Sequence, residues 1–333
     1  MQIIIGTYTK FGGSTGIYTN KNSAQLADHV VGTIENPTFL CIPPKSLVLY
    51  SITTQTDGLG GIVSYTYDDG RWKYAEKKVY KNAGPCHLTI DQSEQYIVTS
   101  HYHAGKIEVY EIAGAKIRGR IQTISHMQYE ENGQKSHVHQ AVFSPNDREV
   151  IICDLGLDAI FVYPFNKKTG ELEVEQVKVI KTAQGSGPRH LIFSKDGMKV
   201  YCLHELSGQI TTYQYENGTL ELLQELLPPR ADLNAAAAIK RHPSLPIIYV
   251  SYRSKNIISS FHIQEDGLLQ YSESIDCGGL VPRDLLISCQ NGKLYSANQN
   301  SSDITIFSIG PNGELVLNEE KIVVPYPVCL IEV

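Results

Sequence analysis

The amino-acid sequence predicts an all-β fold, a seven-bladed β-propeller of four-stranded blades, on three observations. A Tyr or Phe closes a short β-patterned segment seven times, at Tyr18, Tyr65, Tyr110, Tyr163, Tyr213, Phe261 and Phe307, with spacings of 47, 45, 53, 50, 48 and 46 residues. A turn followed by an apolar run keeps the same interval: NPTFL at 36–40, GPCHL at 84–88, SHVHQAVF at 136–143, GPRHLIF at 187–193, NAAAAI at 234–239, VPRDLLI at 281–287 and YPVCLI at 326–331. Such a period in a strand-rich chain marks propeller blades, one four-stranded sheet per repeat. Thirdly, the chain opens on IIIGTYT and GIYT, which match the second and third strands of a repeat, and finishes on PVCLIEV, which matches a lone first strand. The C-terminal strand is therefore expected to join the N-terminal blade, closing the ring and removing a sheet edge.

The fourth repeat shows the elements in order. RHLIFS (189–194) reads as the first strand and KDG (195–197) as its turn; KVYCLHE (199–205) and QITTYQY (209–215) read as the second and third strands. The turn ENG (216–218) then leads into LELLQEL (220–226), the outer strand. Alternating apolar residues with Asp-Gly or Asn-Gly turns are hairpin signals. They recur at DDG (68–70), DG (266–267), NG (291–292) and PNG (311–313). No helix is expected. Stacked blades share one continuous core, so residues 1–333 are expected to form a single domain.

Composition narrows the function. A net charge of −6 without a dense Lys/Arg run argues against a nucleic-acid binder, and no nucleic-acid partner is expected. The N-terminus, MQIIIGTYTK, lacks a basic leader and has too short an apolar stretch for a signal peptide or membrane span. A cytoplasmic protein with no membrane partner is expected, as a monomer or weak homo-oligomer. The seven cysteines (41, 86, 153, 202, 277, 289 and 329) are odd in number and lack paired spacing, so they read as structural thiols. His101 and His103 stand two apart in SHYHAG with no ligand-spaced carboxylate or cysteine, so no metal site is expected. Asp57–Gly61 is Gly-rich but precedes no helix, and reads as a hairpin turn instead of a phosphate loop.

Antiparallel first and second strands bring the start of one and the end of the other to the same end of a blade. Aligned on the closing aromatics, the first strands begin with Thr38, Cys86, His139, Arg189, Ala237, Arg283 and Val328. Eight residues before the aromatic, five second strands end with Tyr102, Leu155, Glu205, Arg253 and Gln299. Scaffold columns should repeat, and these do not. Their polar members fall in consecutive blades: His139 in the third, Arg189 and Glu205 in the fourth, Arg253 in the fifth, Arg283 and Gln299 in the sixth. They should face one sector of the channel mouth, an arrangement suited to an anionic substrate and a proton transfer. A structural ion network in a water-filled channel is the bland alternative. His139, Arg189, Glu205 and Arg253 are the candidate catalytic residues. Arg283 and Gln299, with the adjoining His190 and Asn298, are the candidate substrate-binding residues.

GTYT with GIY, NPTFL, GPCHL, the HxxxFSPN pattern at 139–146, GPRHLIFSKDG, HELS (204–207) and PRDLLI together resemble the lactonase family. These are seven-bladed propellers typified by bacterial 6-phosphogluconolactonases and fungal carboxy-muconate lactonising enzymes. The resemblance covers essentially the whole chain. It implies that His139, Arg189, Glu205 and Arg253 form the active-site set, although SYRS around Arg253 lacks the Asn or Asp that family members carry before this Arg. It further implies hydrolysis of a sugar-acid lactone, with 6-phosphogluconolactone as the leading substrate, as in the oxidative pentose phosphate route, and no cofactor. Glu205 or His139 would be the base, Arg189 would stabilise the oxyanion, and Arg253, helped by Arg283, would hold the phosphate. A muconate-type cycloisomerase and a non-catalytic interaction platform are the alternatives.

Overall fold

In the computed structural model, which describes residues 2–20, 29–81, 83–228 and 234–333, seven antiparallel sheets follow one another around a ring. The first strand of each blade touches that of the next, and the cycle closes from Pro327–Glu332 back to Leu40–Cys41. The fourth blade runs Pro188–Phe193, Lys199–His204, Ile210–Glu216 and Thr219–Leu226 from channel to rim. The seventh is the split blade, in which Pro327–Glu332 lies inside Ile3–Thr7, Gly16–Asn20 and His29–Thr33. Ile3 faces Glu332 and Ile5 faces Leu330 across that closing ladder. Among the described residues no helix is long and apolar enough to cross a membrane.

The sheets bury both faces, and the core lies between blades. Ile151, Cys153, Ile160 and Val162 of the third blade pack against Leu191, Val200, Cys202 and Tyr213 of the fourth. All seven closing aromatics are buried in third strands. In five blades the ladder to the outer strand slips by one residue beside the aromatic, as between Thr212 and Tyr213 or Ser260 and Phe261, and in the sixth blade it slips by two before Phe307. A bulge there increases local twist, which lets the outer strand wrap around the large ring.

Two details depart from the regular pattern. The outer strand of the third blade is broken into Glu171–Leu172 and Lys178–Lys181, with a 3-10 turn at Val174–Gln176. Val174 and Val177 both pack on the cluster around Tyr163 and Phe165. Side chains three apart share a face in a 3-10 turn but point oppositely in a strand, so this packing breaks the strand. A second 3-10 turn, His126–Tyr129, is capped by the Ser125 hydroxyl, which accepts from the Met127 amide. The expectation of no helix therefore holds only for α-helix among the described residues. The first strand of the first blade is just two residues long, because Pro43 and Pro44 follow and cannot donate to the ladder.

Leu330 sits in the core shared by the sixth and seventh blades, beside Ile3, Ile5, Tyr18 and Ile304. Leu330→Ala should lower the unfolding free energy by about 3 kcal/mol through cavity formation. The half-exposed outer-strand Leu222, changed to Ala, should cost less than about 0.5 kcal/mol. Urea unfolding of the two variants measures the difference.

Candidate active site

The site begins with a backbone irregularity at the head of the first strands. In the third blade Val138 faces Asp154 while Gln140 faces Cys153, leaving His139 without a ladder partner. The same slip leaves out Arg189 between Pro188 and His190, and Arg283 between Pro282 and Asp284. Val328 is skipped likewise in the seventh blade, and in the fifth Ala237 and Ala238 together face Ser251. A bulged residue is freed from pairing and its side chain is re-aimed, here toward the channel. Two positions before Arg189, Ala237, Arg283 and Val328, the residues Gly187, Ala235, Val281 and Tyr326 all hold positive φ, as does Asn36 before Thr38, whereas His137 before His139 does not. For the β-branched Val281, at 62°, that is a strained conformation of the kind found at functional sites.

The second strands supply the opposite wall, and Glu205 is its centre. Its Oε2 accepts from Arg189 Nε at 2.7 Å, and its Oε1 lies 2.9 Å from Arg253 Nη2. Arg189 also donates to the Ala237 carbonyl, and Arg253 Nε donates to the Ala235 carbonyl at 2.9 Å. The Glu205 backbone is tied on both sides, its N–H to Gly187 and its carbonyl to the Ala236 N–H. Both guanidinium groups are thus fixed by carboxylate and carbonyl oxygens before any ligand arrives.

His139 stands among these charges, with His190 at 5.0 Å and Tyr102 at 5.8 Å between ring centroids. Its Nδ1 is buried without a partner among the described residues. Burial, then Arg189 and Arg283, holds its pKa well below the ordinary value, so the imidazole is neutral at neutral pH. His190 is lowered in the same way by burial, Arg189 and His139, and His87 falls to about 3 through burial and Lys240. Burial would raise Glu205, but Arg189, Arg253 and Arg283 outweigh it and hold the carboxyl below its usual range. Burial also lowers Arg189, to about 10, and it stays protonated at neutral pH.

These side chains border a cleft of about 320 Å³ at the channel mouth, lined by His139, Glu205, Arg253 and Arg283 together with Tyr8 and Lys10. A smaller chamber of about 60 Å³ reaches Arg189 and His190. Residues 2–332 match the family described as "Lactonase, 7-bladed beta-propeller". The chain belongs to this family. Among curated relatives, a 6-phosphogluconolactonase of Bacillus subtilis is 28% identical, over 98% of this chain and 96% of its own. A solved Lactobacillus plantarum protein superposes with a TM-score of 0.89 at 29% identity, covering 99% of both chains. The periplasmic gluconolactonase of Pseudomonas aeruginosa superposes with a TM-score of 0.88 at 27% identity, covering 99% of this chain and 98% of its own.

Within this lactonase-family mouth, the structure gathers His139, Arg189, Glu205, Arg253, Arg283 and His190 around the two cavities. Gln299 touches the site indirectly, its Oε1 accepting from Arg283 at 3.3 Å. Asn298 does not belong there. It is the last residue of its strand and its side chain turns inward, bonded to Ser296, Asp303 and Thr305. Strand alternation sends neighbours to opposite faces, so only one of Asn298 and Gln299 can face the mouth. His101 and His103 also part company. His101 is buried 3.3 Å from Glu108, a carboxylate on the adjacent strand, while His103 lines the cleft. Cys86 lines the cleft too, but burial pushes its thiol up to about 11.

His87, His139 and His190 are neutral when folded and titrate near 6.5 when unfolded. The unfolded chain therefore binds more protons below that pH, and stability falls as pH drops from about 6.5. Glu205 stays ionised across this interval and does not mask the effect. Urea titrations between pH 7 and 5 should show a loss approaching 1.4 kcal/mol per pH unit for each such histidine. His190→Gln should remove about one histidine's share of that slope, and an unchanged slope would show that His190 is protonated in the fold.

Proposed function

We propose that the protein hydrolyses 6-phosphogluconolactone to 6-phosphogluconate. The observation that carries this reading is the charge of the cleft: Lys10, Arg253 and Arg283 line it with one carboxylate, Glu205, while in the chamber behind, Arg189 stands with Asp284, which is paired with Lys240, in a protein of net charge −6. So concentrated a surplus suits an anionic ligand and draws it in by long-range attraction. The B. subtilis relative carries the corresponding name, and the family supplies the reaction class.

Lactone opening requires water to add to the carbonyl carbon, giving an oxyanion, before the bond to the ring oxygen breaks. Arg189 and Arg253 are cations held in place by Glu205, and they favour the oxyanion over the neutral carbonyl without rearranging. Glu205 has both oxygens committed to guanidinium groups, so its part is to hold them. His139, neutral and facing the cleft, takes the proton from the attacking water and returns it to the departing ring oxygen.

The test is the rate of lactone opening by purified protein above the spontaneous rate, with 6-phosphogluconolactone generated in situ and gluconolactone alongside. Wild type should accelerate the phosphorylated substrate. Arg189→Ala should lower kcat by about 10²-fold or more, and His139→Gln by about 10²-fold. No acceleration by wild type would remove the assignment. Acceleration of gluconolactone alone would move the protein to the unphosphorylated substrate named for the P. aeruginosa relative.

A further inference from the structure

The loop after Ile3–Thr7 in the seventh blade brings Tyr8 and Lys10 to the cleft, next to Arg283 of the sixth. Lys10 Nζ lies 4.6 Å from the centroid of the Tyr8 ring, and the Arg283 guanidinium carbon lies 5.3 Å from the same centroid. Phe11 braces this ring edge-on at 5.6 Å and packs in turn on Tyr326. Among the described residues no carboxylate pairs with either cation, and the contact from Arg283 to Gln299 is long, 3.3 Å. Two like charges at one ring repel each other. The negative face of an aromatic ring offsets only part of that cost, so the corner is electrostatically incomplete without an anion.

The backbone beneath Lys10 is built, which separates it from an ordinary solvated lysine. Asn36, itself buried, accepts the N–H groups of Thr9 and Lys10 on Oδ1, both at 3.1 Å. Its Nδ2 donates to the Thr54 carbonyl at 2.9 Å, and its own N–H donates to Thr9 Oγ1 at 3.0 Å. Arg253, in contrast, is spent on Glu205 and Ala235. Of the cations lining the cleft, Lys10 and Arg283 are the two with no carboxylate at ion-pair distance among the described residues.

We propose that Lys10 and Arg283, carried on the Tyr8 ring, form the seat for the substrate's phosphate, and that this corner sets the preference for phosphorylated over unphosphorylated sugar lactones. Around the ring the seat lies two to three blades from Arg189 and Glu205, so the phosphate and the reacting carbonyl are held by different groups. This inference rests on the lactonase reading above and names the part of the substrate that each group recognises.

Its test measures binding separately from turnover. Dissociation constants for 6-phosphogluconate and gluconate are determined by calorimetry for wild type, Lys10→Met, Lys10→Arg and Arg283→Met. Both lactones are assayed in parallel. Wild type should bind the phosphorylated acid more tightly. Lys10→Met and Arg283→Met should each weaken it by about tenfold or more, with a much smaller factor on gluconate, and Lys10→Arg should restore most of the loss. On the lactones, Lys10→Met should raise KM for the phosphorylated substrate more than it lowers kcat. Equal binding of the two acids by wild type, or equal losses on both in the variants, would overturn the phosphate seat while leaving any lactonase activity intact. A phosphate preference erased by Lys10→Met in a protein that opens neither lactone would uphold the seat and remove the lactonase reading.

Discussion

Everything distinctive about the mouth depends on one backbone feature, the slipped residue at the head of the first strands. A propeller demands that every blade present the same ladder to its neighbours, which leaves little freedom within paired positions. The slip provides a position outside the ladder. His139, Arg189 and Arg283 occupy it, while Val328 takes the equivalent place in the closing blade and small alanines do so in the fifth. Before Arg189, Arg283, Val328 and the fifth-blade alanines, a left-handed residue two places earlier turns the chain into this position. At Val281 a β-branched side chain tolerates that conformation because Asn256 holds its N–H and Gln299 donates to its carbonyl.

Charge placement follows from that geometry. Slipped residues bring arginines inward from the first strands, and Glu205, at the end of a second strand, is divided between two guanidiniums. Burying cations is costly unless partners compensate. Here compensation is short: it suffices to orient Arg189 and Arg253, and the uncompensated charge adds to burial in keeping His139 and His190 neutral. The same deficit that adds to burial in lowering the histidines creates the attraction for an anion. Orientation, protonation and ligand charge are thus one electrostatic arrangement.

How much of this was legible in the sequence depends on whether a residue lay on the repeat. His139, Arg189, Glu205, Arg253 and Arg283 occupy fixed offsets from the closing aromatics, and alignment brought them together. Tyr8 and Lys10 lie in the blade whose loops differ in length, so no column contained them, although a cation beside aromatic residues in YTKF was a signal available to composition. Asn298 was misplaced because an offset of one residue reverses the face of a strand. Glu108 escaped pairing with His101 because the contact is cross-strand. The broken outer strand of the third blade was hidden by valines at 174 and 177, whose spacing is helical but too brief to register as a pattern.

The closing ladder joins Ile3 to Glu332 and Ile5 to Leu330, and it has a temporal consequence. Tyr8 follows one of these strands directly, and Val328 lies within the other. The wall they form waits for two segments separated by almost the whole chain to find each other, the slowest kind of contact to make. Blades three to five, with His139, Arg189, Glu205 and Arg253, hold only contacts between neighbours and can assemble earlier. A half-folded chain would therefore possess its guanidinium–carboxylate cluster before it possesses a closed cleft, and ligand capture would begin only when the ring is shut.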